Sequence, residues 1–296
     1  GKVFIDQKVL FDEESRALNG KIKIADDMRV YYCGSYGKYN SYYSQGMFFG
    51  YLEGGKEPKI TFYNLGEFEH IFDYMTTKRA NRIKDKIDRG LKSGRSYKFK
   101  TQLWVQYFYQ FDDQFVLLSD IYRPEDDRSN NRDPYSGNYS SNNDDNTNQK
   151  FVHYTSGITN ADDKDKIQYY ESILMRFNKE GKLISDVSLP TPKAETLALE
   201  KLSTSHVGAS GVSLIYKDEN KIRYRLFDTE ATIKQDSSQN INIFKEGDTI
   251  TRITDNQGKI QKWYDNHFFV WGYHRIEDSY GEKRTVFFMN KISIVE

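Results

Sequence analysis

The stretch "SILMRFNKEGKLISDVSL" (residues 172–189) decides the fold. Two strand-sized segments rich in apolar and β-branched residues flank "NKEG", where Gly181 can take the positive φ of a tight hairpin loop. The same grammar returns in "GVSLIYKDENKIRYRLFD" (211–228), "DTITRITDNQGKIQKWY" (248–264) and "HFFVWGYHRIEDSYGEKRTVFFMNKISIV" (267–295). Near the start it shapes "RVYYCGSYG…QGMFFGYLEGGKEPKITFY" (29–63). "QLWVQYFYQF" (102–111) alternates, with Leu103, Val105, Tyr107, Tyr109 and Phe111 on one face, and "DQFVLLSDIY" follows after a tight "DD" turn. These are antiparallel meanders, one after another.

Two segments break the pattern. In "GEFEHIFDYMTTKRANRIKDKIDRGLKSG" (66–94), Phe68, Ile71, Phe72 and Met75 recur at helical spacing, and Ala80, Ile83, Ile87 and Leu91 extend the stripe. The spacing predicts one long helix or two short ones, an insert over 67–93 between sheets. Residues 123–149 are dominated by Asn, Asp, Ser and Gly and are too poor in apolar surface to order themselves; the predicted loop runs over 123–165.

A repeat underlies the strands. "RVYYCGSY", "FVLLSDIY", "GVSLIYKD" and "FFVWGYHR" read as equivalents beginning near residues 29, 115, 211 and 268. Setting aside the roughly 27-residue helical insert and a roughly 40-residue insert at about 126–165 leaves intervals of about 59, 56 and 57 residues. A unit of that size suits a four-stranded blade, so the expected fold is all-β and β-propeller-like, whole or partial, in a single domain over 1–296. The rival architecture is an irregular β-sandwich or barrel.

Composition agrees and excludes several function classes. The 296 residues suffice for a sizeable core, and 23 Tyr with 19 Phe but only 5 Pro favour a folded sheet protein. The 43 basic and 43 acidic residues cancel, so no global field draws the chain to nucleic acid. Cys33 is the only cysteine, which rules out an internal disulfide or a thiolate metal cage. No run approaches the about eighteen apolar residues of a membrane helix. The start "GKVFIDQ" lacks both Met and a signal-peptide profile and reads as a processed or cut form.

Chemical motifs are few. No phosphate-binding loop is present, and Ser210 in "HVGASGVS" lacks the glycine spacing of a nucleophile elbow. No two of His70, His153, His206, His267 and His274 share the spacing of a helical zinc pair, although His267 and His274 lie near Asp265. "DDNTNQ" alternates Asp144, Asn146 and Asn148 like a calcium loop, but Gln149 replaces the turn glycine and Thr155 the closing acid. Of the carboxylates, Asp120 at a strand end is the first to test for glycoside hydrolysis. No catalytic residue, metal or cofactor is assigned.

Two features exceed what folding requires. "GSYGKYNSYYSQG" (34–46) is a Tyr/Ser/Gly/Asn loop of the kind that makes adaptable contacts, and the helical insert is basic. Tyr39, Tyr42, Tyr43, Arg79 and Arg82 are therefore the expected partner-binding residues, on one rim.

"VYYCGSYGKYNSYYSQGMFFG", "FVLLSDIYRPE" and "ILMRFNKEGKLISDVSLP" together resemble uncharacterised propeller-like proteins of Bacteroidota cell envelopes. In these a "GSYG…GxFF" blade precedes a helical insert, and later blades read "(I/V)xFxxxGKLIW" and "GYxxxxxxKRxxFxxKIxI". The closing "WGYHRIEDSYGEKRTVFFMNKISI" is similar to the last of them. The resemblance is loose in motif and covers most of the chain. It implies export to the periplasm or cell surface, no assigned catalysis, and further N-terminal blades. A narrower similarity, to the periplasmic plug subunit of the type IX secretion translocon, is anchored to no particular motif. The expectation is a non-enzymatic cell-envelope scaffold, not integral to the membrane, that engages a protein partner through blade loops. The alternative is a secreted glycan-binding or glycan-cleaving protein.

Overall fold

The computed structural model describes residues 9, 11, 14–54, 56–93, 97–124, 167–191, 194–196, 198–241 and 247–294. The "DDNTNQ" stretch, His153 and most of the predicted 123–165 loop lie outside the described residues.

Strands β1 (Ser15–Ile24), β2 (Val30–Lys38), β3 (Ser44–Leu52) and β4 (Lys59–Asn64) form the first antiparallel sheet, in chain order. The second holds β5 (Gln102–Phe111), β6 (Gln114–Pro124), β7 (Ile167–Asn178) and β8 (Leu183–Pro190), with β9 (Glu195–Thr196) paired to β7. The third is β10 (Ser203–Gly208), β11 (Gly211–Asp218), β12 (Lys221–Phe227) and β13 (Ile233–Asn240). The fourth has three strands among the described residues, β14 (Thr249–Tyr264), β15 (His267–Glu277) and β16 (Lys283–Ser293). With 62% strand and 8% helix among the described residues, the protein is all-β and propeller-like. The strands picked out as repeats, β2, β6, β11 and β15, are each the second strand of a sheet.

Packing follows the two-residue period of a strand buried on both faces. In β6, Phe115 and Leu117 face the first sheet, among Tyr31, Phe49, Met175 and Phe177. Val116 and Leu118 face the third sheet, among Val212, Leu214 and Phe227. The third and fourth sheets meet through Ile215, Ile222, Ile260, Phe268 and Val270. Consecutive sheets thus stack face to face. On the outer face of the first sheet, Val9 and Phe11 pack against Tyr32, Phe48 and Leu52.

Strand β5 departs from strict alternation. Its register shifts between Val105 and Tyr107. Before this bulge Leu103 and Val105 point into the first-sheet cluster, whereas beyond it Phe108 does so, and Tyr107, Tyr109 and Phe111 pack towards the third sheet. The single apolar face expected from the sequence is therefore split, because one extra residue flips every side chain after it.

The insert between β4 and β5 also differs from expectation. A 3-10 turn (Leu65–Glu67) is capped by Asn64, and the one α-helix among the described residues of this segment, α1, spans Thr77–Lys92. The stripe residues Phe68, Ile71 and Phe72 are buried in turns, not helix. Here Asp73 and Met75 donate their amide N–H groups to the carbonyls of His70 and Phe72 three residues back. The Asp186 carboxylate accepts the N–H groups of Glu69 (3.0 Å) and His70 (2.8 Å), fixing the turn conformation from outside. Among the described residues no helix is long and apolar enough to cross a membrane.

One side chain clips the β7–β8 hairpin to the first sheet. The Tyr63 hydroxyl donates to the Gly181 carbonyl (2.5 Å) and accepts from the Leu183 N–H (3.0 Å). Gly181 has φ +84°, as its place in the loop requires. Replacing Tyr63 by Phe is expected to cost about 1–2 kcal/mol, read as a lowered urea midpoint at unchanged slope. An unchanged midpoint would show the clip to be idle.

Candidate functional site

Strand β3 pairs Gly46 with Asn64 of β4, so the 38–45 loop and the start of the insert leave the first sheet at one end. The insert returns there as well: the Ser44 N–H donates to the Thr101 carbonyl (3.0 Å), and the Ser44 hydroxyl accepts from the Leu103 N–H (2.9 Å). The loop and the two ends of the insert therefore meet at this rim.

The individual residues differ in character. Tyr39 is 65% exposed. Tyr42 and Tyr43 are half-buried; the Arg16 guanidinium lies 5.9 Å from the Tyr42 ring centroid, and the Tyr43 N–H donates to the Ser41 hydroxyl (3.1 Å). Arg79 and Arg82 are exposed on α1. The opposite helix face is held down by Ile87, 4% exposed, which sits so close that a Cβ on Gly66 would lie 2.7 Å from it.

Beneath the insert lies a cluster that the sequence did not disclose. Asp73 accepts from the Ser188 hydroxyl (3.2 Å), lies 3.0 Å from His70 Nδ1 and 3.9 Å from Arg225 of β12. Arg225 also pairs with Asp236 (2.7 Å) and donates to the Ser188 carbonyl (3.2 Å). Burial alone would raise the Asp73 carboxyl, but its bonds to His70 and Ser188, with the charge of Arg225, hold it low. His70 is raised, chiefly by its bond to Asp73. Glu171, wholly buried on β7, is pushed well above the usual carboxylate range by desolvation, which favours the neutral acid. The Tyr74 ring lies tilted 5.1 Å from that of Tyr170, and its hydroxyl is raised by burial, with Glu171 adding to the shift. This arrangement latches the insert to the second and third sheets.

Asp120 belongs to a different place. On β6, 1% exposed, it accepts from Ser172 (2.6 Å), Ser203 (3.4 Å), the bulge residue Gln106 and the Leu202 N–H. Desolvation pushes its carboxyl up to about 7. It ties the second sheet to β10 and faces no solvent, so the structure gives it a structural task.

The histidine cluster does not assemble. His267 and His274 sit at odd and even positions of β15, on opposite faces; His267 stacks on Tyr264 (4.5 Å), and His274 is buried against Phe288 (4.3 Å). Among the described residues no group of three His, Cys, Asp or Glu is placed to hold a metal. At the opposite end of the sheets Asp26, Asp27, Gln110, Asp112, Asp113 and Lys179 line an open depression of about 720 Å³, in which Lys179 pairs with Asp113 (2.5 Å).

No family model matches the chain, and no curated protein does. Among solved structures it is similar to the NanB sialidase from Streptococcus pneumoniae, at 12% identity and a TM-score of 0.37, over 95% of this chain and 54% of that one. It is also similar to the polysaccharide lyase Uly1, at 10% identity and a TM-score of 0.34, over 93% of this chain and 45% of that one. The chain thus spans about half the length of the solved chains it matches. The expectation of a non-enzymatic protein is corrected here: the solved structures named are of enzymes, so nothing in this fold marks the chain as inert. Their likeness lends it no particular reaction.

Proposed function

We propose that this chain binds a glycan at the rim where the 38–45 loop and the insert leave the first sheet. The observation that carries the reading is the convergence there of a 65%-exposed Tyr39, the Tyr42 and Tyr43 rings and both ends of an insert bearing Arg79 and Arg82. Aromatic rings offer flat apolar area with a polar edge, which suits the faces of sugar rings, and guanidinium groups suit their acidic substituents. Whether the bound glycan is also cleaved is the finer part of the proposal, as is export to the periplasm or cell surface, which cell fractionation tests.

A polysaccharide panel read by calorimetry checks the reading. Single alanine substitutions at Tyr39, Tyr42, Tyr43, Arg79 and Arg82, each with parental melting, are expected to weaken the best ligand roughly tenfold or more at two positions at least. Parental affinity in all five moves the site elsewhere. Product analysis after long incubation separates binding from cleavage. If no sugar binds, and a stoichiometric envelope protein is captured by the parent but lost with these variants, the rim serves a protein partner instead.

A further inference from the structure

Phe268, Val270 and His274 of β15 are buried towards the third sheet, so the alternate positions Phe269, Trp271, Tyr273 and Arg275 lie on the other face of the fourth sheet. Successive positions on one face stand about 6.8 Å apart, and the three half-buried rings follow the strand as a row. Phe287 and Met289 of β16, opposite Tyr273 and Trp271, widen it and are 54% and 58% exposed. The Phe287 ring lies 5.3 Å from that of Tyr273 and 6.4 Å from that of Trp271. At the row's Phe269 end, the Lys291 ammonium stands 5.7 Å from the ring centroid of Trp263 and 5.2 Å from that of Tyr264.

The charges here are one-sided, although the chain as a whole is neutral. Arg252 and Arg275 stand directly opposite each other in the β14–β15 ladder, and both are exposed. Like charges in that position cost stability, so folding alone does not call for them. Among the described residues Lys259 pairs with Glu200 (3.2 Å) and Lys283 with Glu277 (3.4 Å), whereas no carboxylate pairs with Arg252, Arg275 or Lys291. The aromatic row therefore runs from a cation at one end to two cations at the other, with apolar area between them.

We propose that this face of the fourth sheet holds an acidic polysaccharide, a chain of sugar rings bearing carboxylates, at a site separate from the 38–45 rim and not dependent on it. The rings of Phe269, Trp271 and Phe287 offer flat area to the apolar faces of the sugars. The Arg252–Arg275 pair grips one carboxylate with forked donors, and Lys291 meets another as a point charge. Phe269 to Arg275 covers about 20 Å of strand, so the ligand is a polymer and not a single sugar. A neutral glycan would leave the two guanidinium groups unmatched. Single-stranded nucleic acid fits less well, because it carries a phosphate on every unit, and those crossing Trp271, Phe287 and Met289 would find no free cation.

Calorimetry with polygalacturonate, alginate, hyaluronate and oligothymidylate tests this. The parent is expected to bind at least one of the three acids, and methyl esterification of that polymer, which removes charge and keeps the rings, to weaken binding about tenfold or more. Arg275→Gln and Trp271→Ala are each expected to weaken it by a similar factor. Arg275→Gln relieves a like-charge contact, so it should melt no lower than the parent; if Trp271→Ala does melt lower, the more exposed Phe287→Ala replaces it. The proposal is overturned if none of the acids binds, if the ester binds equally well, or if oligothymidylate binds more tightly than the acids and is lost with Arg275→Gln. It is also overturned if binding falls with Tyr39→Ala and not with Arg275→Gln, a result that places the polymer on the rim and leaves the rim reading standing. Parental sugar binding by all five rim variants, with loss in Arg275→Gln, refutes the rim alone.

Discussion

Replacing Phe49 by alanine is expected to destabilise the protein by about 3–5 kcal/mol, the range for emptying a large aromatic site in a packed interior. Phe49 has no exposed surface, and its ring meets those of Phe177 (4.9 Å), Phe115 (5.6 Å), Phe108 (5.9 Å) and Tyr31 (6.1 Å). These partners come from both the first and second sheets, so one substitution opens the junction from either side. Rigid strands on both sides restrict collapse into the void, which places the cost at the upper end. Chemical denaturation measures it, with Tyr280→Ala as the reference: at 90% exposed on the β15–β16 turn, Tyr280 is expected to change stability by no more than about 0.5 kcal/mol. Similar losses at both positions would refute the assignment of Phe49 to the core.

Stability is expected to fall as the pH rises from about 4 to about 7, through Asp120. Its folded carboxyl titrates at about 7, against an ordinary value of 3.8, because burial penalises the charge. Between those values the folded state binds a proton that the unfolded state has lost, so unfolding becomes easier with rising pH. Three units correspond to on the order of 4 kcal/mol. Desolvation raises Asp186 and Glu171 as well, in the same direction, whereas Asp73 is lowered and acts against them below its unfolded value. The difference between Asp120→Asn and the parent isolates the one group. Asparagine changes the local hydrogen bonds by an amount that does not vary with pH, and it cannot ionise. The variant is expected to gain on the parent steadily from about pH 4 to about pH 7 and to hold its lead above that. A constant difference would mean that Asp120 titrates normally.

Much of the fold was legible because its signals are local. Gly181 in "NKEG", the period-two runs and the recurring second strands each depend on a few neighbouring residues, and the sheets appear where those patterns lie. The misreadings share a cause, contacts from far along the chain. Phe68, Ile71 and Phe72 have helical spacing, but the carboxylate of Asp186, more than a hundred residues away, holds their segment in turns. The β5 bulge is set by its ladder with β6 and its faces towards two different sheets. Asp120 was noticed, but its burial under Ser203 of the next sheet was beyond a single strand's pattern. Glu171 and Asp186 did leave a trace: each is the only acid in its strand, at a position whose neighbours two residues on, Ile173 and Ser188, face inwards.

Because the three clusters that lie between described sheets each join sheets that follow one another, cooperativity in this molecule passes from neighbour to neighbour. The second and third sheets are each held by two of these junctions, while the fourth is held by one. Amide exchange should therefore be graded along the stack: hydrogens of β15 and β16 open at a free energy below that of global unfolding, and those of β6 and β7 open last. The described sheets then open from the fourth inwards, like a row of leaning books.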